Sequence, residues 1–123
     1  MYKTIIVPID FEHAEKGKAM IATAKNLADK GGRIVLVNIV EEMPGYVEAQ
    51  LPGGLLRKSK ENAAVKLQDM AGAAGIKAEI DVRIGRPATA INSIAEEKGA
   101  VVAEEKGTVP EEKQAPQKEE IFD

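Results

Sequence analysis

Along residues 1–100, short apolar runs alternate with segments in which apolar positions recur every three or four residues. The run at residues 5–9 is continuously apolar, and the run at residues 34–40 is apolar except at Asn38, which is typical of strands buried on both faces of a sheet. The run at residues 76–84 alternates strictly and predicts a half-exposed strand at a sheet edge. Because Pro8 has no N–H to donate to a ladder, we expect it at the end of the first strand.

The segments between these runs have the periodicity of amphipathic helices. The sequence predicts a first helix over about residues 12–30, a second over residues 56–74 and a third that opens at Pro87. A long loop with two Pro-Gly breaks is expected at residues 41–54. The predicted helix stops are glycines, namely Gly31 and Gly32, Gly75, and Gly99.

The alternation of strands and helices predicts the fold class. It indicates an α/β domain with an open parallel sheet, helices on both faces, right-handed crossovers and strand order 3-2-1-4. A fourth strand begins at residues 100–103, but charged residues cut it short. Residues 104–123 carry seven acidic residues and three lysines, a balance of −4, and few apolar ones. We therefore predict a domain at residues 1–103 and an acidic, disordered tail at residues 104–123.

Composition removes several function classes. The chain has no cysteine, and His13 is its single histidine, so disulfides, thiolate metal sites and a histidine-built zinc site are not expected. Residues 1–103 hold fourteen basic and thirteen acidic residues, which argues against nucleic-acid binding. There is no signal-peptide pattern and no apolar stretch of membrane-spanning length, so we expect a cytoplasmic protein without a membrane partner. Walker A, Gly-x-Gly-x-x-Gly, His-Glu-x-x-His and Gly-x-Ser-x-Gly motifs are absent from the sequence, so we do not expect an enzyme.

Three segments together resemble the universal stress protein family. Residues 1–10, Met-Tyr-Lys-Thr-Ile-Ile-Val-Pro-Ile-Asp, are similar to the family's opening strand and its Val-Pro-x-Asp-like turn. Residues 35–40 resemble its second strand, and Gly-Arg-Pro at residues 85–87 resembles its third strand-to-helix junction. The resemblance covers about residues 1–100. It implies a Rossmann-like sheet, a stress-response role and an adenine nucleotide, ATP with Mg²⁺ or AMP, bound at the carboxyl edge of the sheet.

Residue by residue, the resemblance implies nucleotide contacts at Pro8, Ile9, Asp10, Ile39 and Gly85. Ile9 and Ile39 would line the adenine pocket, Ile39 partly through its backbone. Asp10 would contact the ribose or a phosphate-bound metal ion. Each polar position also has a plainer interpretation: Asp10 as the cap of the first helix or of a turn, and Gly85 as a turn residue.

The sequence departs from the family after Ala100. The family's fourth strand is followed by a Gly-x-x-Gly … Gly-Ser/Thr loop that wraps the phosphates, whereas here only an isolated Gly107-Thr108 pair follows. We therefore expect weakened nucleotide binding or no bound cofactor. The alternative is a protein-interaction module that acts through the sheet edge, the 41–54 loop or the acidic tail. The short fourth strand leaves an apolar sheet edge, so self-association or a protein partner is also expected.

Overall fold

A computed structural model describes residues 2–41 and 43–103 of the chain. These residues contain a four-stranded parallel sheet. Its strands are β1 (Tyr2–Pro8), β2 (Ala28–Glu41), β3 (Glu79–Gly85) and β4 (Val101–Val102). Their order is β3-β2-β1-β4, which confirms the predicted topology. The tail prediction for residues 104–123 lies outside the described residues.

Four helices connect the strands. A 3₁₀ turn, Phe11–His13, follows β1, and a one-turn helix lies inside the predicted 41–54 loop. The helices are α1 (Ala14–Leu27), α2 (Gly45–Glu48), α3 (Leu55–Ala74) and α4 (Pro87–Lys98). None of the helices in the described part of the chain is long and apolar enough to cross a membrane.

The predicted helix ends are right for two helices and wrong for the first. Gly75 and Gly99 adopt the left-handed conformation just after α3 and α4, with φ of 70° and 58°. The first helix instead ends at Leu27, because Ala28 is already extended and pairs with Tyr2. Gly31, with φ of 82°, lies within β2, in the stretch where the pairing with β1 shifts register.

Helices cover both faces of the sheet, as predicted. On one face, α1 and α3 pack on the strands through an aliphatic cluster that includes Ile5, Val7, Ile21, Leu36 and Leu67. On the other face, α4 packs through a second cluster, made chiefly of Ile6, Val35, Val37 and Ile94. Successive β1 residues enter opposite clusters because strand side chains alternate between faces. Full burial of each such side chain contributes about 1.5–3 kcal/mol.

Strand β3 lies at an edge of the sheet and is half-exposed, which confirms the interpretation of its alternating pattern. Ile80 and Val82 pack against the first cluster, but Ile84 remains 40% exposed. On the opposite face, the Arg83 guanidinium donates to Asp81 of its own strand and to Glu97 of α4. These bonds fasten α4 to the edge strand.

Candidate functional site

A cleft of about 420 Å³ opens where β1 and β2 end. Its walls come from the residues after β1, the beginning of α1, the end of β2 and the first turn of α4. Carboxyl ends of parallel strands and amino ends of the following helices meet at this edge, which is where open α/β sheets bind ligands. The two-residue β4 contributes nothing to the lining.

Four of the five residues expected at a nucleotide site line this cleft: Pro8, Ile9, Asp10 and Ile39. Gly85 lies outside it and lines a separate, shallower depression of about 450 Å³ together with Arg86 and Met43. Gly85 closes β3 opposite Glu41, without a positive φ and with open space around its α-carbon.

The backbone at the end of β2 is turned toward the cleft. The Ile9 N–H donates to the Val37 carbonyl at 2.7 Å, so Val37 directs its peptide groups at β1. Because these directions alternate along a strand, Ile39 directs its N–H and carbonyl to the same side. Strand β1 has ended at Pro8, and the chain has turned away at Asp10, so this side of Ile39 is the cleft itself.

An asparagine side chain replaces the next bond of the β1–β2 ladder. In a regular parallel ladder the Ile39 N–H would donate to the Ile9 carbonyl. Here the Asn38 Nδ2 donates to that carbonyl at 2.9 Å. The part-buried amide holds the two strand ends together where the cleft opens between them.

Asp10 caps the 3₁₀ turn, as its plainer interpretation predicts. Its Oδ1 accepts from the Glu12 N–H at 2.9 Å, and its Oδ2 lies 3.0 Å from His13 Nδ1. The hydrogen bond with His13, followed by that from Glu12, holds the pKa of Asp10 below its usual value. The carboxylate is therefore ionised at neutral pH. Its side chain is 63% exposed, so it is also accessible to a ligand.

The cleft combines an apolar floor with polar groups at its rim. The floor is formed by Ile9, Ile39 and Ile91, and Lys16 lies on the α1 side. Within the described residues, no three His, Cys, Asp or Glu side chains are grouped so that they could hold a metal ion.

Sequence reasoning did not assign Asn38, Lys16 or Ile91 to the site. For Asn38 there was a signal, since it is the one polar residue inside the apolar run at residues 34–40. Lys16 and Ile91 gave none, because their place in the cleft depends on how α1 and α4 cross the sheet.

An open parallel sheet with a cleft at its carboxyl edge defines a Rossmann-like α/β protein. The model of the universal stress protein family matches residues 1–102, and the chain belongs to that family. Among curated proteins, none matches the sequence significantly.

Solved structures share the fold. The hypothetical protein MJ0577 has a TM-score of 0.65 and 22% identity, over 98% of this chain and 92% of that one. The hypothetical protein PH0823 has a TM-score of 0.58 and 26% identity, over 84% of this chain and 76% of that one. A universal stress family protein from Burkholderia pseudomallei has a TM-score of 0.53 and 20% identity, over 86% and 84%.

Proposed function

We propose that the protein is a stress-response module that binds the adenosine part of ATP or AMP in the cleft and holds the phosphates weakly. The observation that carries the proposal is the Ile39 backbone, whose N–H and carbonyl face an apolar cleft. One adenine edge offers an amino donor beside a ring-nitrogen acceptor, and this pair matches a backbone carbonyl and N–H. Ile9 and Ile91 would contact the two faces of the base.

Asp10 is the polar group proposed to meet the ribose or a magnesium ion carried by the phosphates. Its carboxylate is ionised, exposed and already oriented by Glu12 and His13. A magnesium ion would take most of its oxygen ligands from phosphate and water, with Asp10 supplying one. Such a site fits the chain better than an all-protein metal cage, given the donor groups available around the cleft.

The phosphates are proposed to be poorly held because no Gly-x-x-Gly follows Ala100 in the sequence. The backbone N–H groups of such a loop would otherwise supply most of the contacts to phosphate oxygens. We therefore expect ATP to bind little more tightly than AMP or adenosine. A cytoplasmic location and the absence of catalytic activity are parts of the same proposal, and they rest on the family and the sequence motifs.

Isothermal titration of the whole chain with Mg²⁺-ATP, AMP and adenosine tests the proposal. The three dissociation constants should agree within about tenfold, which corresponds to about 1.4 kcal/mol. Guanosine is the control, because its edge presents the opposite donor and acceptor order to Ile39. Amide shifts of Ile9 and Ile39 in a ¹⁵N spectrum should move with adenosine. Unmoved amides at saturating adenosine would exclude this cleft as the binding site.

A protein-interaction module is the second candidate, favoured by one observation. Strand β3 is the last strand of the sheet on its side, and within residues 2–41 and 43–103 nothing pairs with its outer edge. An unpaired edge is a template for another strand. The first candidate uses the carboxyl ends of β1 and β2, and the second uses the outer edge of β3, so the two do not exclude each other.

A further inference from the structure

The backbone groups on the outer edge of β3 belong to three apolar residues. Asn38 is paired with Val82, and it directs its peptide groups at β3 because its neighbour Val37 directs its own at β1. The parallel ladder therefore uses the N–H and carbonyl groups of the odd-numbered β3 residues. The peptide groups that face outward are those of Ile80, Val82 and Ile84.

This edge is self-complementary in one antiparallel register. With a two-fold axis at Val82, Ile80 of one copy pairs with Ile84 of the other through outward-facing backbone groups. Asp81 of each copy then lies opposite Arg83 of the other copy, which gives two equivalent charged pairs. Both pairs occupy non-hydrogen-bonded positions, where side chains approach most closely.

The neighbouring registers lack this match. Centring the axis on Asp81 opposes two aspartates, and centring it on Arg83 opposes two arginines. When the axis lies between two residues, each outward-facing residue is opposed by a residue whose peptide groups face inward, so the two edges cannot form a hydrogen-bonded ladder. An axis on Asp81 also opposes Glu79 to Arg83, but only the axis through Val82 combines opposite charges and apolar pairs without opposing two like charges.

An exposed apolar side chain would also be covered in this register. Ile84 is 40% exposed and lies on the α3 side of the sheet, like Ile80 and Val82. Across the axis it would sit beside Ile80 of the other copy. There it would cover the groove of about 450 Å³ between β3 and α3, which Ala64 and Gln68 help to line.

The charged pair is already oriented for such a contact. Arg83 donates from Nε and one terminal nitrogen to Asp81 at 3.0 and 3.1 Å, and Glu97 holds its terminal nitrogens from the α4 side. Both side chains are thus fixed before association, which lowers the entropy cost of ordering them at an interface. Carboxylate oxygens accept more than one hydrogen bond, so Asp81 can accept from a second arginine.

We propose that the outer edge of β3 pairs antiparallel with the same edge of a second copy of this chain, with the two-fold axis at Val82. The two four-stranded sheets become one continuous sheet, with α3 of both copies on the same face. This dimer does not depend on the proposed nucleotide site, which lies at the ends of β1 and β2.

A charge exchange between two variants of the full chain tests the register. In Asp81→Arg the pairs become arginine with arginine, and in Arg83→Asp they become aspartate with aspartate. Each variant alone should raise the dimer Kd in sedimentation equilibrium by at least about tenfold. An equimolar mixture of the two should restore association as a heterodimer, because every opposed pair is then of opposite charge.

Backbone and cross-linking variants test the edge itself. Val82→Pro removes only an N–H that faces outward, so it should abolish the dimer while the far-ultraviolet spectrum and cooperative melting remain. Val82→Thr keeps the N–H and should keep the dimer. Since the chain has no cysteine, Val82→Cys should form an intermolecular disulfide on oxidation, whereas Ile84→Cys should not.

Each result of these experiments either supports or overturns the proposed dimer. A wild-type dimer lost in the single charge variants and regained in their mixture supports the proposal. Wild-type protein that stays monomeric at high concentration overturns it, and so does a dimer that persists in a folded Val82→Pro variant. Cross-linking by Ile84→Cys in place of Val82→Cys would overturn the register.

Discussion

The Asn38 side-chain amide donates to the Ile9 carbonyl at 2.9 Å, at the point where β1 ends and β2 continues. This bond occupies the ladder position that the Ile39 N–H would otherwise fill, and it leaves the Ile39 peptide groups directed at the cleft. Asn38, a polar residue in an apolar strand, therefore joins the ends of β1 and β2 and also leaves backbone groups available to a ligand in the cleft. The same bond gives the first testable consequence.

Asn38→Ala should destabilise the fold by about 1 kcal/mol, because the part-buried Ile9 carbonyl loses its side-chain donor. Asn38→Asp should cost more at neutral pH, since a carboxylate would face a carbonyl oxygen. Its deficit relative to wild type should shrink in acid, where the protonated acid can donate. Urea unfolding at neutral and acidic pH measures both effects. Asn62→Ala, at an exposed asparagine inside α3, is the control and should not lose stability, because alanine has the higher helix propensity.

Gly17 of α1 sets how closely that helix approaches the floor of the cleft. A Cβ there would lie 3.0 Å from Ile9 Cδ1 and 3.4 Å from Met70 Cε, both ends of flexible side chains. Gly17→Ala should therefore be nearly neutral, since the helix-propensity gain of about 1 kcal/mol is offset by the displacement of Ile9. Gly17→Val should lose about 1–3 kcal/mol through overpacking.

Gly72→Ala is the matched control for this pair of variants. Gly72 lies inside α3, and a methyl group added to its α-carbon would have open space within 4 Å. The variant should therefore show the full propensity gain of roughly 0.5–1 kcal/mol. The difference between the two alanine variants in thermal or urea unfolding isolates the Ile9 contact. Equal gains in stability from Gly17→Ala and Gly72→Ala would mean that the contact between α1 and Ile9 does not limit the space at Gly17.

Acid should destabilise the protein through carboxylates that are bonded in the folded state. Arg83 lowers the pKa of Glu97, Arg33 lowers that of Glu79, and His13 lowers that of Asp10. A depressed folded pKa adds stability above the unfolded value, about 4 for these groups, and the gain is lost as pH falls further. The free energy of unfolding should therefore change little between neutral pH and about pH 5, and it should decline below about pH 4.

Glu97→Gln should make this acid decline shallower, because it removes one of the titrating groups and keeps a neutral acceptor for Arg83. Glu96→Gln, at the adjacent exposed glutamate of α4, is the control and should leave the decline in place. Urea unfolding across a pH series gives the slopes. If both variants follow the wild-type curve, the Arg83–Glu97 bonds do not contribute to stability.

The order of the sheet could be predicted because it depends on local patterns and general rules. The apolar runs at residues 5–9 and 34–40 must be buried on both faces, and the alternating run at residues 76–84 must lie at an edge. Right-handed crossovers then leave few arrangements. The early end of α1 could not be predicted, because residues 28–33 have no strand pattern, and only Ala28 and Arg33 among them pair with β1, on either side of a register shift.

The site was predictable to the same extent. The resemblance implied Pro8, Ile9, Asp10 and Ile39; they lie at the carboxyl ends of β1 and β2 or directly after β1, so their convergence at one edge agrees with the topology. The role of Asn38 depends on the two strands separating after Pro8, which no local pattern encodes. Ile91 reaches the cleft only because α4 crosses the face opposite α1 and α3.

Asp10 allows its two roles, cap and ligand contact, to be separated. Asp10→Asn retains an oxygen that can accept from the Glu12 N–H, so the 3₁₀ turn should persist, but it removes the charge. Asp10→Ala removes both. If Asp10 meets a phosphate-bound magnesium ion, Asp10→Asn should weaken Mg²⁺-ATP binding by about tenfold, the size of one charge-assisted contact, and leave adenosine binding unchanged. Asp10→Ala should weaken both by loosening the turn beside Ile9.

Titration calorimetry of the two variants with both ligands measures these losses. Equal losses for Mg²⁺-ATP and adenosine in Asp10→Asn would show that the carboxylate acts on the turn alone, and the metal contact would then have to be abandoned.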